Sequence, residues 1–203
     1  MALLPTRLEP KIRLSTIRSK KENMLTLATQ QELTSVTISV DGNPEIEEVR
    51  VDMADMKIEH RPANLLTSVG SCVAICVHDP VHRCGGLAHV MLPNSVNGEN
   101  EPFPSKFANT AVPALMNGIN KITGKQSRLS AKIAGGANMF SNLGPNHLDI
   151  GAKNVKAVKN ALEVYRIRLT GEDVGGLHGR RVSFNVSSGE TFVRTFNGGV
   201  KAI

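Results

Sequence analysis

The sequence has no tryptophan, one tyrosine and six phenylalanines in 203 residues. Single-stranded nucleic acids are usually held by exposed rings that stack on bases, so this scarcity argues against such a platform. No stretch approaches the ~18 consecutive apolar residues of a membrane-crossing helix. The opening "MALLPTRLEPKIRL" has too short an apolar run, broken by Pro5, for a secretory leader. Cysteine is sparse as well. The three residues are odd in number and clustered, which speaks for reduced thiols in a cytoplasm rather than a disulfide framework. No Cys-x2-Cys pair offers a zinc knuckle. Gly135-Gly136 and Gly175-Gly176 lack the Lys-Ser/Thr or the full Gly-x-Gly-x-x-Gly of a phosphate loop, and read as tight turns.

What is present begins with a net charge of +6. Much of the excess lies near the start, in Arg7, Lys11, Arg13, Arg18, Lys20 and Lys21 against Glu9 and Glu22. A basic extension accounts for it without a shaped groove, so no specific nucleic-acid partner is expected. Residues 1–45 mix charge, proline and weak periodicity and read as a basic, weakly ordered N-terminal extension. "VTISVDGNPEIEEVRV" suggests a hairpin turning at Asp41-Gly42. Residues 46–203 read as the working domain.

That domain mixes strand and helix patterns. "VRVDMADMKI" alternates as a strand does. "SCVAICVHD" and "GGLAHVMLP" are apolar strands bounded by turn residues. "FANTAVPALMNGINKI" places Phe107, Ala111, Ala114, Leu115, Ile119 and Ile122 at helical spacing. Pro113 there asks for a helix start near Thr110 or a kink. "SAKIAGGANMF" is a strand entering a Gly-Gly turn. "IGAKNVKAVKNALEVYRI" carries a stripe of Val155, Val158, Leu162 and Tyr165. "VSFNVSSGETFVRT" is a hairpin turning at Ser187-Ser188-Gly189. The strands and helices do not alternate regularly, which predicts an α/β fold with a mixed, mainly antiparallel sheet and helices packed on it.

"TSVGSCVAICVHDPVHRCGGLAHVML" holds all three cysteines and three of the six histidines. Cys72, Cys76, His78, His82, Cys84 and His89 are all conceivable metal ligands, but their spacing fits no usual site. Cys76, inside "VAICV", reads as a small core residue, and Cys84 as structural or incidental. His78 and His82, beside Asp79-Pro80, read as exposed loop residues. Cys72 differs because it directly follows the small-residue turn Gly70-Ser71 at the mouth of a strand. An exposed sulfur with close backbone N–H groups is what a nucleophilic thiol needs. His89 is its base if the two strands pair with Val77 opposite Cys84. Cys72 then lies across from His89 on the same face, and an ion pair would pull the thiol pKa down. A one-residue slip would separate them, so a purely structural role stands beside the catalytic one. His178, in "GGLHGRR", is a rival base with nothing to bring it near Cys72. Arg180 and Arg181 could bind acidic partner residues, but paired arginines read first as solvated.

"VGSCVAICVHDP" followed by "GGLAHVMLP" resembles the signature of the CheD family of chemoreceptor glutamine deamidases. "SAKIAGGANMF", "DIGAKNVKAVKNAL" and "EDVGGLHGRRVSFNVSSGETFVR" continue the resemblance in order, over about residues 47–195. The resemblance implies a three-layered α/β sandwich and a Cys-His-Thr site that needs no metal or organic cofactor. It implies glutamine side chains on the cytoplasmic helices of methyl-accepting chemoreceptors as substrates, converted to glutamate, with glutamyl methyl ester hydrolysis as a sister activity. It also implies a CheC-type phosphatase as partner, and membrane association only through receptors. The alternative function is a mainly non-catalytic adaptor that regulates such a phosphatase. Cys72 and His89 match the family's nucleophile and base. The third residue is a threonine just upstream of Gly-Ser-Cys. Leu66 is unsuitable, while Thr67 and Ser68 both carry hydroxyls, and Thr67 is the expected partner of His89. Gly70 and Ser71 form the turn, with Ser71 a contributor to the oxyanion site.

Overall fold

A computed structural model describes residues 46–124, 128–139, 149–195 and 198–203, all within one of the two units into which the chain divides, Ile46–Ile203. Its strands in chain order are β1 (Glu47–Arg50), β2 (Met56–Glu59), β3 (Ala63–Val69), β4 (Val73–Asp79), β5 (Cys84–Val90), β6 (Ser130–Gly135), β7 (Arg168–Val174), β8 (Arg180–Asn185), β9 (Thr191–Thr195) and β10 (Val200–Ala202). The helices are α1 (Ala108–Thr123) and α2 (Ile150–Val164).

Every residue of β4 and β5 is buried. A strand covered on both faces needs no polar alternation, and this is why "VAICVHD" and "CGGLAHV" read as nearly continuous apolar runs. These two strands centre an inner sheet of order β2-β5-β4-β6-β7. On one face Val73, Ile75, Val77, Ala88 and Val90 meet Ala111, Leu115 and Ile119 of α1 and Val158 and Leu162 of α2. On the other, Ala74, Cys76, Leu87 and Ala134 meet Leu65, Val69, Val182, Phe184 and Val193 of an outer sheet, order β1-β3-β8-β9-β10. The outer sheet alternates buried and open positions, because its far face meets solvent. Helices, inner sheet and outer sheet make a three-layered α/β sandwich. Only β1–β3 and β6–β7 pair in parallel among the described strands, so the mainly antiparallel character holds, but in two sheets rather than one.

Several sequence expectations need correction. "VRVDMADMKI" is not one strand: the chain turns through Val51–Asp55, with Ala54 at φ +61°, and passes from the outer to the inner sheet. α1 begins at Ala108 with Pro113 inside it, giving up the one backbone bond that Pro113 has no N–H to make. Its Ile122 is exposed. On α2 the inner stripe runs through Asn154, Val158, Ala161 and Leu162, while Tyr165 lies past the helix end and is partly exposed. The hairpin expected around Asp41-Gly42 lies mostly outside the described residues, and its final stretch is β1, paired in parallel to β3.

The register of the central pair also differs. Asp79, not Val77, lies opposite Cys84, and His89 lies opposite Ala74 rather than Cys72. The reason is a shorter turn. The Asp79 carboxylate accepts from the N–H groups of Val81 and His82, closing the chain over Pro80–Arg83. The shift is two residues, so each side chain keeps its face.

Candidate active site

His89 is 3 % exposed and faces the layer between the sheets. The 51–55 turn grips its backbone: Ala54 N–H donates to the His89 carbonyl at 3.1 Å, and His89 N–H donates to Asp55 at 3.0 Å. The same turn is tied from below by the Ser105 hydroxyl, which donates to the Ala54 carbonyl. The His89 ring meets Thr67 of β3, whose Oγ1 lies 2.8 Å from Nδ1. That hydroxyl also lies 2.8 Å from the Val51 carbonyl oxygen. A hydroxyl has one hydrogen and a carbonyl can only accept. Thr67 therefore donates to Val51 and accepts from His89 Nδ1–H. This leaves the lone pair of neutral His89 on Nε2, which is buried and has no hydrogen-bond partner.

Cys72 is half-buried and ends the turn just before β4. It packs against the same intersheet cluster that Thr67 and His89 face. His89 lies opposite Ala74, and Cys72 stands two residues before Ala74, one residue outside the ladder. Ser68 points the other way, on the exposed face of β3. Burial raises the Cys72 thiol pKa, its own backbone N–H partly opposing this. Burial also lowers the His89 pKa, with the charge of Asp52 pulling the other way. Burial thus favours the uncharged form of both groups, opposed at Cys72 by its own backbone N–H and at His89 by the charge of Asp52.

The turn bearing the thiol is fixed from three sides. The Gly70 carbonyl accepts from Ala137 N–H at 2.8 Å, and the Cys72 carbonyl from Gly136 N–H at 2.8 Å. Between them the Ser71 carbonyl accepts from Asn154 Nδ2 at 2.9 Å. Asn154 is fully buried and its other amide hydrogen goes to the Met91 carbonyl at 2.9 Å, so one side chain joins the Cys72 turn to the end of the His89 strand. Sequence reasoning missed Asn154. The signal was an amide on the apolar stripe of α2, where only a residue with buried partners is tolerated. Gly135 was read as a turn glycine, and it is more constrained than that. It has φ +120°, and a Cβ there would drive into the Cys72 carbonyl.

The other sequence candidates do not join this site. Cys76 is buried between the sheets and its pKa is pushed up to about 12 by burial, against opposing effects of Thr191 and Lys132. Cys84 is buried at the far end of β5. His78 is not a loop residue but a buried one at the end of β4. His82 lies in the turn, Nδ1 2.6 Å from the Asp79 carboxylate. His178 is exposed in the loop before β8. Arg180 is buried and bonded to Asp173 at 2.7 Å, so only Arg181 of that pair is solvated. Among the described residues no group of three or more His, Cys, Asp or Glu is arranged to hold a metal ion.

A groove of about 760 Å³ opens beside Thr67 and His89, and a second depression of about 640 Å³ lies beside Gly70. A thiol on a fixed turn, and an imidazole whose Nδ1 is held by a hydroxyl, are the residue types that cysteine-dependent acyl transfer draws on. Comparison with known proteins gives this class a family. Residues 91–195 match the family described as CheD chemotactic sensory transduction. The chain is 42 % identical over 158 residues to a probable chemoreceptor glutamine deamidase CheD of Desulforamulus reducens, covering 77 % of this chain and 95 % of that one. It is 43 % identical over 150 residues to the chemoreceptor glutamine deamidase CheD of Thermotoga maritima, covering 73 % and 92 %. The chain belongs to the CheD family. The family match begins two residues after His89 and takes in Gly135, Gly136 and Asn154, which hold the thiol turn.

Proposed function

We propose that this chain hydrolyses glutamine side chains of chemoreceptors to glutamate, with Cys72 as nucleophile, His89 as general base and acid, and Thr67 as the residue that orients His89. The observation carrying this reading is the Thr67–His89 hydrogen bond, which leaves the Nε2 lone pair free on the face that Cys72 shares. Cys72 Sγ attacks the carboxamide carbon as His89 Nε2 takes the thiol proton. The charge on the carbonyl oxygen falls to the N–H groups of Ser71 and Cys72. Their neighbouring carbonyls are all tied back by Ala137, Asn154 and Gly136, which supports these amides as the oxyanion donors. One such donor is typically worth about 10²–10³ in rate. Imidazolium returns its proton to nitrogen, the C–N bond breaks and ammonia leaves. Water, losing a proton to His89, attacks the thioester. Its C–S bond breaks, releasing glutamate and the Cys72 thiol.

A glutamyl methyl ester would enter the same thioester with methanol as leaving group, so esterase activity belongs to this reading. Residues 46–203 are the proposed working domain, in a cytoplasmic protein that reaches membranes only through receptors. A CheC-type phosphatase is the proposed protein partner, tested by co-elution of the two purified chains. The decisive test of the main reading is ammonia release from a purified receptor cytoplasmic fragment, with amide-to-acid conversion followed by mass spectrometry. Wild type is expected to release ammonia and Cys72→Ala to release none. Equal release by both would overturn the nucleophile assignment.

A further inference from the structure

Arg181 of β8 and Arg194 of β9 lie directly opposite one another and both are exposed. Like charges in directly opposed positions destabilise a sheet. Neither guanidinium has an ion pair or hydrogen bond among the described residues, whereas the adjacent Arg180 is buried against Asp173. The two arginines also line both openings beside the site, the groove that holds His89 and Thr67 and the depression that holds Gly70, with Ser68 as their shared third residue. Ser68, Arg181 and Arg194 form one row across β3, β8 and β9. Arg50 of β1 adds a third guanidinium to the groove. The groove also holds two carboxylates, Glu48 and Asp52, both toward β1. Among the described residues the lining of the Gly70 depression has none.

We propose that Arg181 and Arg194, assisted by Arg50, bind acidic side chains that flank the target glutamine, so that the enzyme selects glutamines in acidic surroundings. This rests on the deamidase reading and names its substrate class. Strands are about 4.8 Å apart, so Arg194 stands about 10 Å across the sheet from β3. On a helical substrate that span is about two turns. Each conversion also creates a new carboxylate, so a completed site improves its neighbours as substrates.

The test uses two peptides with one glutamine each, flanked either by glutamates or by serines at the same positions. The ratio of their kcat/KM values is measured in wild type and in the Arg181→Gln/Arg194→Gln double variant. Two exposed charge pairs predict a preference of about tenfold for the acidic peptide, weakening as salt is raised. In the double variant the ratio should fall toward one, mainly through KM, with no loss of thermal stability because the opposed charges are gone. Arg194→Glu should favour the serine peptide. A wild-type ratio near one, or a ratio that survives the double substitution, overturns the proposal. If wild type releases ammonia from neither peptide, the deamidase reading has failed instead. Fluorescence anisotropy of both labelled peptides with full-length Cys72→Ala then judges the arginines alone: tighter binding of the acidic peptide supports their role, and equal binding overturns it.

Discussion

At one end of the β4–β5 ladder stand Cys72 and His89; at the other stand Cys84, His78 and the His82–Asp79 pair. Both ends offer a thiol and an imidazole. At both, a histidine is buried with Nε2 unpartnered, His89 at one and His78 at the other. The difference lies in access and in what holds the second ring nitrogen. His89 is oriented by a hydroxyl and lines an open groove, beside a half-buried thiol on a pinned turn. His78 sits under Gly189 with its ring roughly perpendicular to that of Phe184, and Cys84 is sealed in the core. Residue type therefore does not tell the two ends apart, whereas access does: only His89 lines a groove, and only Cys72 of these two thiols is partly exposed.

The strongest way to break this comparison is to remove each imidazole. His89→Ala should lower kcat by about 10²–10⁴, the usual worth of a general base, with little change in melting temperature. His78→Ala should do the reverse, lowering the melting temperature while turnover persists. Normal turnover in His89→Ala would dissolve the contrast.

The second test concerns the turn rather than the ring. Gly135→Ala combines a left-handed backbone with a clash on the Cys72 carbonyl, and should cost about 3 kcal/mol or more in urea unfolding. Gly175→Ala has φ +76° but open space, and should cost only about 1–2 kcal/mol. Equal costs would mean that the Cys72 turn is not as tightly clamped as its hydrogen bonds indicate.

A third test orders the thiols. Cys72 should be alkylated by iodoacetamide first, and Cys76 and Cys84 only on unfolding, as peptide mass mapping would show. Because burial raises the Cys72 pKa, its labelling should be slow at mildly acidic pH and still climbing at its ordinary value of 9.0. Fast labelling at low pH would restore the ion pair.

The smallest effect is on the pH profile. Burial lowers the His89 pKa, so the neutral, active base persists below its ordinary value of 6.5. The acid limb of kcat/KM should accordingly fall below pH 6.5. Asp52→Asn removes the opposing pull and should move that limb lower still. A limb above 6.5 would contradict the burial argument.

The central strands were legible because "VAICV" and "GGLAHV" are apolar without alternation, and the helices because their apolar residues recur at the right period. The register of β4 on β5 was off by two, since turn length depends on Asp79 capping its own loop, which apolar pattern does not encode. The face survived the error because side-chain direction depends only on parity. The passage from outer to inner sheet at Val51–Asp55 was invisible: "VRVDMADMKI" alternates straight through it, and the turn depends on Ala54 adopting a conformation its residue type disfavours. Thr67 was reachable from the resemblance, but its bond to Val51 was not. Asn154 stood out only as an amide on an apolar stripe; its partners, backbone carbonyls from distant segments, needed the structure.

The three bonds that hold the Cys72 turn come from Gly136, Ala137 and Asn154, the last of them 83 residues downstream. Local sequence alone cannot shape this turn. During synthesis Cys72 leaves the ribosome long before α2 does, and until α2 docks the Ser71 carbonyl has no partner to hold it. A chain made only as far as β6 carries Cys72 without the Asn154 bond to its turn, which arrives only with long-range closure of the fold.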